Sequence, residues 1–167
     1  MSRFVSEPLA EEHVLDRFRS GADTLDAWLV SHARHAQAMR TARTFVWHAG
    51  DHVVVAYFSL AAHLVGRATL PARIGRGGPD KIPAILLARL ALDGSLRTKG
   101  LGRQLLVDAL SRAVSASAIA AARVVVVDAL DEQAAAFYQH HGFQAVPGDA
   151  FRLVQKVSDI AAAIGSS

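Results

Sequence analysis

The chain predicts an α/β fold, a mixed and strongly twisted central sheet flanked by helices. Three stretches predict it. The apolar run Ile85-Leu86-Leu87-Ala88-Arg89-Leu90-Ala91-Leu92 reads as a core strand. It leads into the glycine-rich turn Arg97-Thr98-Lys99-Gly100-Leu101-Gly102, and apolar residues then recur at helical spacing from Leu101 onward. A second strand–helix pair follows, with Arg123-Val124-Val125-Val126-Val127-Asp128-Ala129 as a buried strand and 131–141 as a helix. Strands alternating with helices place a chain in the α/β class.

Taken in order, Arg3 to Val5 reads as an edge strand. Asp23 or Thr24 is placed to cap a helix from Leu25 to Met39, with Leu25, Trp28, Leu29, Ala33 and Ala36 on one face. Strands at 44–48 and 52–60 flank the short connection Ala49-Gly50-Asp51. Gly66 to Pro83, rich in glycine and proline, reads as a long loop, and loops of that length in compact domains tend to be functional. The core strand 85–92 and a helix over 101–118 come next, the helix burying Leu101, Leu105, Leu106, Ala109, Leu110, Ala113 and Val114. Strand 123–129, helix 131–141 and strands near 143–146 and 151–157 complete the sheet, and Gly165-Ser166-Ser167 reads as a disordered end.

The 167 residues suit a single domain spanning 1–167, large enough to bury a core. A hydrophobic fraction of 51% and a charged fraction of 20% describe a globular chain. No cysteine is present, which excludes disulfides and thiolate chemistry. No apolar run approaches the ~20 residues of a membrane span. Glu7, Glu11 and Glu12 stand where a signal peptide would need an apolar stretch, so the expectation is a cytoplasmic protein without a membrane partner. Net charge is +3 with a sequence pI near 9.8. The cations cluster, with Arg34, Arg40 and Arg43 at the end of the first helix and Arg67, Arg73, Arg76 and Lys81 in the long loop. Arg34, Arg40, Arg43, Arg73, Arg76 and Lys81 are therefore candidate RNA contacts, weighed against the ordinary role of solvated surface cations. His32 with His35 and His140 with His141 lack the spacing or companion ligands of a metal site, so no metal is expected.

The turn 97–102 is built for an anion. Its glycines let backbone approach closely, and the unpaired N–H groups and dipole of a helix N-terminus favour negative charge. It is neither a Walker A loop nor a dinucleotide fingerprint. Taken together, Arg97-x-x-Gly100-x-Gly102 and Ala134-x-x-Phe137-Tyr138-x-x-x-Gly142-Phe143, in this order and separation, resemble the GCN5-related N-acetyltransferase (GNAT) family over about residues 84–157. Phe18-Arg19-Ser20-Gly21, Leu25-Asp26-Ala27-Trp28-Leu29, Ala33, Ala36-Gln37 and Tyr57-Phe58-Ser59-Leu60 resemble one branch of it, the acetyltransferase toxins of toxin–antitoxin pairs, which acetylate the amino acid on charged tRNA.

The resemblance implies a GNAT fold and acetyl-CoA as co-substrate. Leu90, Ala91 and Leu92 would pair with its pantetheine arm, with a backbone N–H near Leu92 aimed at the thioester oxygen. Arg97, Thr98, Lys99, Gly100, Leu101, Gly102 and Arg103 would hold its pyrophosphate. Tyr138 would act as general acid toward the departing thiolate. Many GNAT enzymes place a glutamate base on the strand before the turn; here that strand offers Arg89, with Asp93 just beyond. An α-amine, with pKa near 7.7–8.0, needs a base less than a lysine at about 10.4, so the gap favours an α-amine acceptor. The resemblance further implies aminoacyl-tRNA as substrate, translation as target, a homodimer and a ribbon-helix-helix antitoxin. The competing enzyme is a GNAT acetyltransferase of a small amine or a protein N-terminus. A non-catalytic acetyl-CoA-binding module is disfavoured by Tyr138. A DNA-associated regulator is disfavoured because no helix-turn-helix or ribbon-helix-helix segment is evident.

Overall fold

A computed structural model describes residues 3–165; Ser166 and Ser167 lie outside the described residues, while Gly165 ends a helix. The elements run β1 (Val5–Pro8), α1 (Asp23–Ser31), α2 (Ala33–Ala38), β2 (Arg43–His48), β3 (Ala56–Gly66), α3 (Ala72–Gly75), β4 (Lys81–Leu92), α4 (Leu101–Ala120), β5 (Val124–Asp128), α5 (Glu132–His140), β6 (Gln144–Val146), β7 (Asp149–Lys156) and α6 (Val157–Gly165). One mixed sheet takes the order β1-β2-β3-β4-β5-β7-β6, as the α/β reading requires. By contacts the chain forms two units, Met1–Ala61 with Ala88–Ala109, and Ala62–Leu87 with Leu110–Ser167; β3, β4 and α4 contribute to both.

In the first unit β1 pairs antiparallel with β2 (Val5↔His48 to Pro8↔Phe45), and β2 with β3 (Arg43↔Leu60 to Trp47↔Ala56). Its core joins Leu9, Leu15, Phe18, Leu29, Ala33, Val46, Val54, Tyr57 and Ala91, with Leu25 and Trp28 packed on the rim. Tyr57 is fully buried, and its hydroxyl donates to the Leu25 carbonyl at 2.7 Å, which satisfies the polar tip of an otherwise apolar side chain. The expected helix 25–39 is instead two helices interrupted at His32, whose φ of −128° leaves the helical region. Leu29 and Ala33 stay buried on either side of the break, so the apolar face persists across it. Neither Asp23 nor Thr24 caps α1. Ala22 holds the cap position, and the Asp26 carboxylate instead accepts from Ser20 N and Ser20 Oγ. The Gln37 amide donates to Leu9 O at 2.7 Å and accepts from Thr44 N at 3.1 Å, tying α2 to the chain beside β1 and to β2. Asp108 of α4 accepts from Ser6 Oγ at 2.5 Å and from the Trp47 indole N–H at 2.8 Å, fastening β1 and β2 to the helix.

Glu7 of β1 fastens a second seam. One carboxylate oxygen receives His13 Nε2 at 2.7 Å and His48 Nε2 at 2.8 Å. The Nδ1 atoms of the two imidazoles accept from backbone, His13 from Ala10 N and His48 from Gly50 N. Accepting at Nδ1 puts the ring proton on Nε2, so both histidines donate to Glu7. These bonds hold the Glu7 carboxyl below the ordinary glutamate range against the opposing pull of desolvation.

In the second unit β4 pairs parallel with β5 from Ala84↔Val124 to Leu87↔Val127. β5 pairs antiparallel with β7, and β7 with β6 across a register shift at Ala145/Val146. Val124 to Val127 are all fully buried, as an interior strand covered on both faces demands. The segment 66–83 is packed where a structureless loop was expected. β3 runs on to Gly66 and β4 starts at Lys81, while a 3₁₀ turn over Arg67–Thr69 and the single turn of α3 fill the gap. Leu70, Ile74 and Ile82 are buried beneath it, and Arg67 clips it by donating to Gly78 O at 2.6 Å and pairing with Asp80 at 3.0 Å. The terminal helix α6, unforeseen in the sequence, follows β7 directly and buries Ile160. β1 (5–8 against 3–5), β6 and β7 differ from expectation by a few residues at their ends.

Replacing Asp108 with Ala should cost about 1–3 kcal/mol, because the N–H of the buried Trp47 and the Ser6 hydroxyl lose this acceptor together. Urea unfolding measures it, with Asp108→Asn, which keeps one acceptor oxygen, expected to fall between. For Glu7 the sign follows from its lowered pKa. Its contribution is fully present above the unfolded glutamate value near 4.3 and fades as pH falls through the lower folded value. The stability gap between wild type and Glu7→Gln should therefore hold steady at pH 5–7 and close below about pH 4 in an acid series.

Candidate active site

The first unit carries the anion-binding elements on one continuous piece of chain. Ala91 of β4 is buried, while Leu90 and Leu92 are half-buried. The β5 ladder ends at Leu87, five residues before β4 does, so the backbone of 88–92 lies outside that ladder. Asp93 then caps a 3₁₀ turn over Gly94–Leu96. The chain reverses with Thr98 at φ 65° and Gly100 at φ 72°, the left-handed region that glycine enters without strain. An added Cβ at Gly100 would meet nothing within 4 Å, so this position needs glycine for its backbone conformation and leaves open space beside it. Leu101, Gly102 and Arg103 form the first turn of α4, Leu101 buried in the core and Arg103 exposed with Lys99. An exposed basic turn in front of a twenty-residue helix can hold a pyrophosphate, with N–H groups of the first turn as donors.

Two side chains of this turn serve the scaffold. Arg97 donates to the Ser20 carbonyl, and its guanidinium lies so close over Gly21 (φ 96°) that a Cβ there would fall 2.6 Å from it. Of the residues expected to hold the cofactor, Arg97 thus directs its side chain to a neighbouring loop. Asp93 accepts from Ser95 N at 3.1 Å, Ser95 Oγ at 2.6 Å and Arg19 N at 2.9 Å. Burial would raise its pKa, but these bonds outweigh burial and hold the carboxyl low. A carboxylate so engaged is a poor proton acceptor, so the one acidic candidate near the strand end is structural. Arg89 stands over the Trp28 ring at 3.9 Å.

Tyr138 belongs to the second unit, on α5, whose start is capped by Asp131 accepting from Ala134 N at 2.8 Å. Its ring is 8% exposed, set edge-on to Phe137 at 5.4 Å and Phe143 at 5.6 Å. The turn 141–143 closes on its carbonyl, which accepts from His141 N and Phe143 N. Burial pushes the phenol well above its ordinary pKa. A neutral phenol is suited to donate a proton.

The six cations considered for RNA separate into two kinds. Arg34 reaches back to the carbonyls of Ala10, Glu11 and His13, so it has internal work, whereas Arg73 is exposed and pairs at the surface with Asp159 at 3.3 Å. Arg40, Arg43, Arg76 and Lys81 are exposed, with Arg43 over the Phe45 ring at 5.9 Å. Among the described residues Glu7, His48 and His52 form a group close enough to hold a metal ion, one that spacing along the chain does not reveal. His48 accepts backbone N–H at Nδ1 and so carries its proton on Nε2, the atom facing Glu7. That protonated nitrogen offers no lone pair, and its hydrogen bond to Glu7 accounts for the closeness of these two groups.

The family model described as Acetyltransferase (GNAT) domain matches residues 45–145. The tRNA-acetylating toxin of Mycobacterium tuberculosis is 38% identical over 148 residues, covering 89% of each chain. The solved structure of AtaT complexed with acetyl-methionyl-tRNAfMet aligns with a TM-score of 0.88 at 27% identity, covering 96% of this chain and 98% of that one. A mutant AtaT toxin bound to the C-terminus of the antitoxin AtaR aligns at 0.84 and 25% identity, covering 97% and 98%. The chain belongs to the GNAT acetyltransferase family, in the branch of these toxins.

Proposed function

We propose that this protein is an acetyl-CoA-dependent N-acetyltransferase that acetylates the α-amino group of an aminoacyl-tRNA and so blocks translation. The observation that carries the chemistry is Tyr138, a buried phenol kept protonated at the position the motif gives the general acid. Its place in a chain alike over most of its length to a tRNA-acetylating toxin supports the substrate.

In this reading acetyl-CoA sets its pyrophosphate on the turn Lys99–Arg103, and its pantetheine arm pairs with the backbone of Leu90–Leu92. The amine nitrogen attacks the thioester carbonyl carbon, whose developing oxyanion faces a backbone N–H near Leu92. The C–S bond breaks, the thiolate takes the proton of the Tyr138 hydroxyl, and the new amide nitrogen releases its extra proton to solvent. No carboxylate base is required if the attacking group is an α-amine, and the engagement of Asp93 supports that acceptor. Arg40, Arg43, Arg73, Arg76 and Lys81 would face the RNA, while Arg34 acts through the fold. The same reading takes residues 1–167 as one GNAT domain, cytoplasmic and homodimeric, neutralised by a ribbon-helix-helix antitoxin. The solved antitoxin complex of AtaT supports an antitoxin partner.

Incubation with labelled acetyl-CoA and total charged tRNA, followed by identification of the acetylated aminoacyl group, tests the activity. Tyr138→Phe should bind acetyl-CoA normally and lose about 10²–10⁴ in turnover, since only the proton donor is removed; near-normal turnover would refute its role. Gly102→Glu should abolish acetyl-CoA binding in calorimetry while leaving the circular dichroism spectrum intact, because it brings a negative charge to the anion site.

A further inference from the structure

Arg89 is a half-buried guanidinium on β4, two residues before the core residue Ala91. Side chains two apart on a strand share a face, so Arg89 lies on the face that carries Tyr57, Trp28 and Leu25. Its Cζ sits 3.9 Å above the Trp28 ring, which itself stacks on Tyr57 at 6.2 Å. The indole covers one face of the guanidinium and leaves its edge, where the N–H donors lie. Among the described residues no hydrogen bond and no carboxylate engages those donors. Burial lowers its pKa, with the nearby Tyr57 phenol opposing, the mark of a cation short of counter-charge. A protein keeps a partly desolvated, unpaired charge at a cost that an incoming anion can offset.

We propose that Arg89 is a binding residue for the acceptor, its planar fork taking the phosphodiester next to the aminoacylated terminal nucleoside. The proposal rests on the reading of the acceptor as aminoacyl-tRNA. Several features point to a phosphate. A guanidinium held flat by an aromatic ring is preorganised for two parallel N–H···O bonds, the geometry a phosphate accepts. The strand bearing it is the one that leads into the turn at the start of α4. The opposite sign of charge, the glutamate that many members of the family carry on this strand, would repel the same group. Trp28 then acts as a positioning residue through its stacking on Arg89.

The test compares two acceptors carrying the same amino acids, total charged tRNA and the corresponding 3′-aminoacyl-adenosines, which lack the phosphodiester. Arg89→Gln should raise KM for charged tRNA about tenfold or more, at least about five times its effect on the aminoacyl-adenosines. The log–log salt dependence of tRNA acetylation should become shallower by up to about one unit, and the acetyl-CoA Kd from calorimetry should stay within about twofold. Arg89→Lys should keep the salt slope but lose part of the affinity, because the charge remains and the fork is gone; it carries the same comparison if the glutamine variant does not fold. Equal losses on the two acceptors, or a weakened acetyl-CoA Kd, would overturn the assignment. Absence of tRNA acetylation by the unsubstituted protein would overturn the underlying reading and this one with it.

Discussion

The site depends on where one strand stops pairing. β4 and β5 keep a parallel ladder only from Ala84↔Val124 to Leu87↔Val127, and β4 then continues alone of the two to Leu92. Backbone N–H and C=O groups do not tolerate being left without partners away from water, so such an edge favours an added strand. An extended amide-bearing arm can supply one. The same strand leads directly into the turn whose glycine conformation opens the first turn of α4 to an anion. Strand edge and helix start are thus consecutive parts of one chain segment, which sets the spacing between the two contacts without help from a distant loop.

That segment is held by the stretch Phe18 to Gly21. Arg19 N donates to the Asp93 carboxylate, Gly94 N donates to Arg19 O, and Arg97 donates to Ser20 O. Ser20 is in turn gripped by Asp26 of α1, which receives both its N–H and its hydroxyl. Gly21 is required for its φ of 96°, and the Arg97 guanidinium lies against it. The Phe18-Arg19-Ser20-Gly21 stretch therefore has a mechanical meaning: it is the bracket on which the turn before α4 is mounted. Arg97, expected to hold the cofactor, and Asp93, the carboxylate just past the strand, both work in this bracket.

Periodicity was legible wherever one face met the core. The stripe Leu101, Leu105, Leu106, Ala109, Leu110 and Ala113 is buried as a helix of 3.6-residue period requires, and the four consecutive valines of β5 are buried as an interior strand requires. What was hidden depends on contacts between distant positions. The break at His32 leaves the apolar face of α1 and α2 unaltered, so no periodic signal marks it. The segment 66–83 carries loop composition, yet Arg67 closes it on Gly78 and Asp80, a pairing across eleven residues and more that composition does not register. The Glu7–His13–His48 seam joins a strand, a turn and another strand, and appears only once β1 pairs with β2. Arg34 reads as a surface cation but donates to three carbonyls, which no property of its neighbours in sequence reveals.

The choice of acceptor follows from what surrounds the strand end. A lysine amine is protonated almost entirely at neutral pH and must lose its proton to a base before it can attack. On this strand the side chain that could have been a base is Arg89, and the carboxylate beyond it, Asp93, is held low by Ser95 and Arg19. An α-amine whose carboxyl is esterified starts close to its neutral, nucleophilic form already, whereas a lysine side chain would need a base that this strand end does not offer. Burial of Tyr138 holds its phenol protonated, the form that the proposed proton donation to a departing thiolate requires.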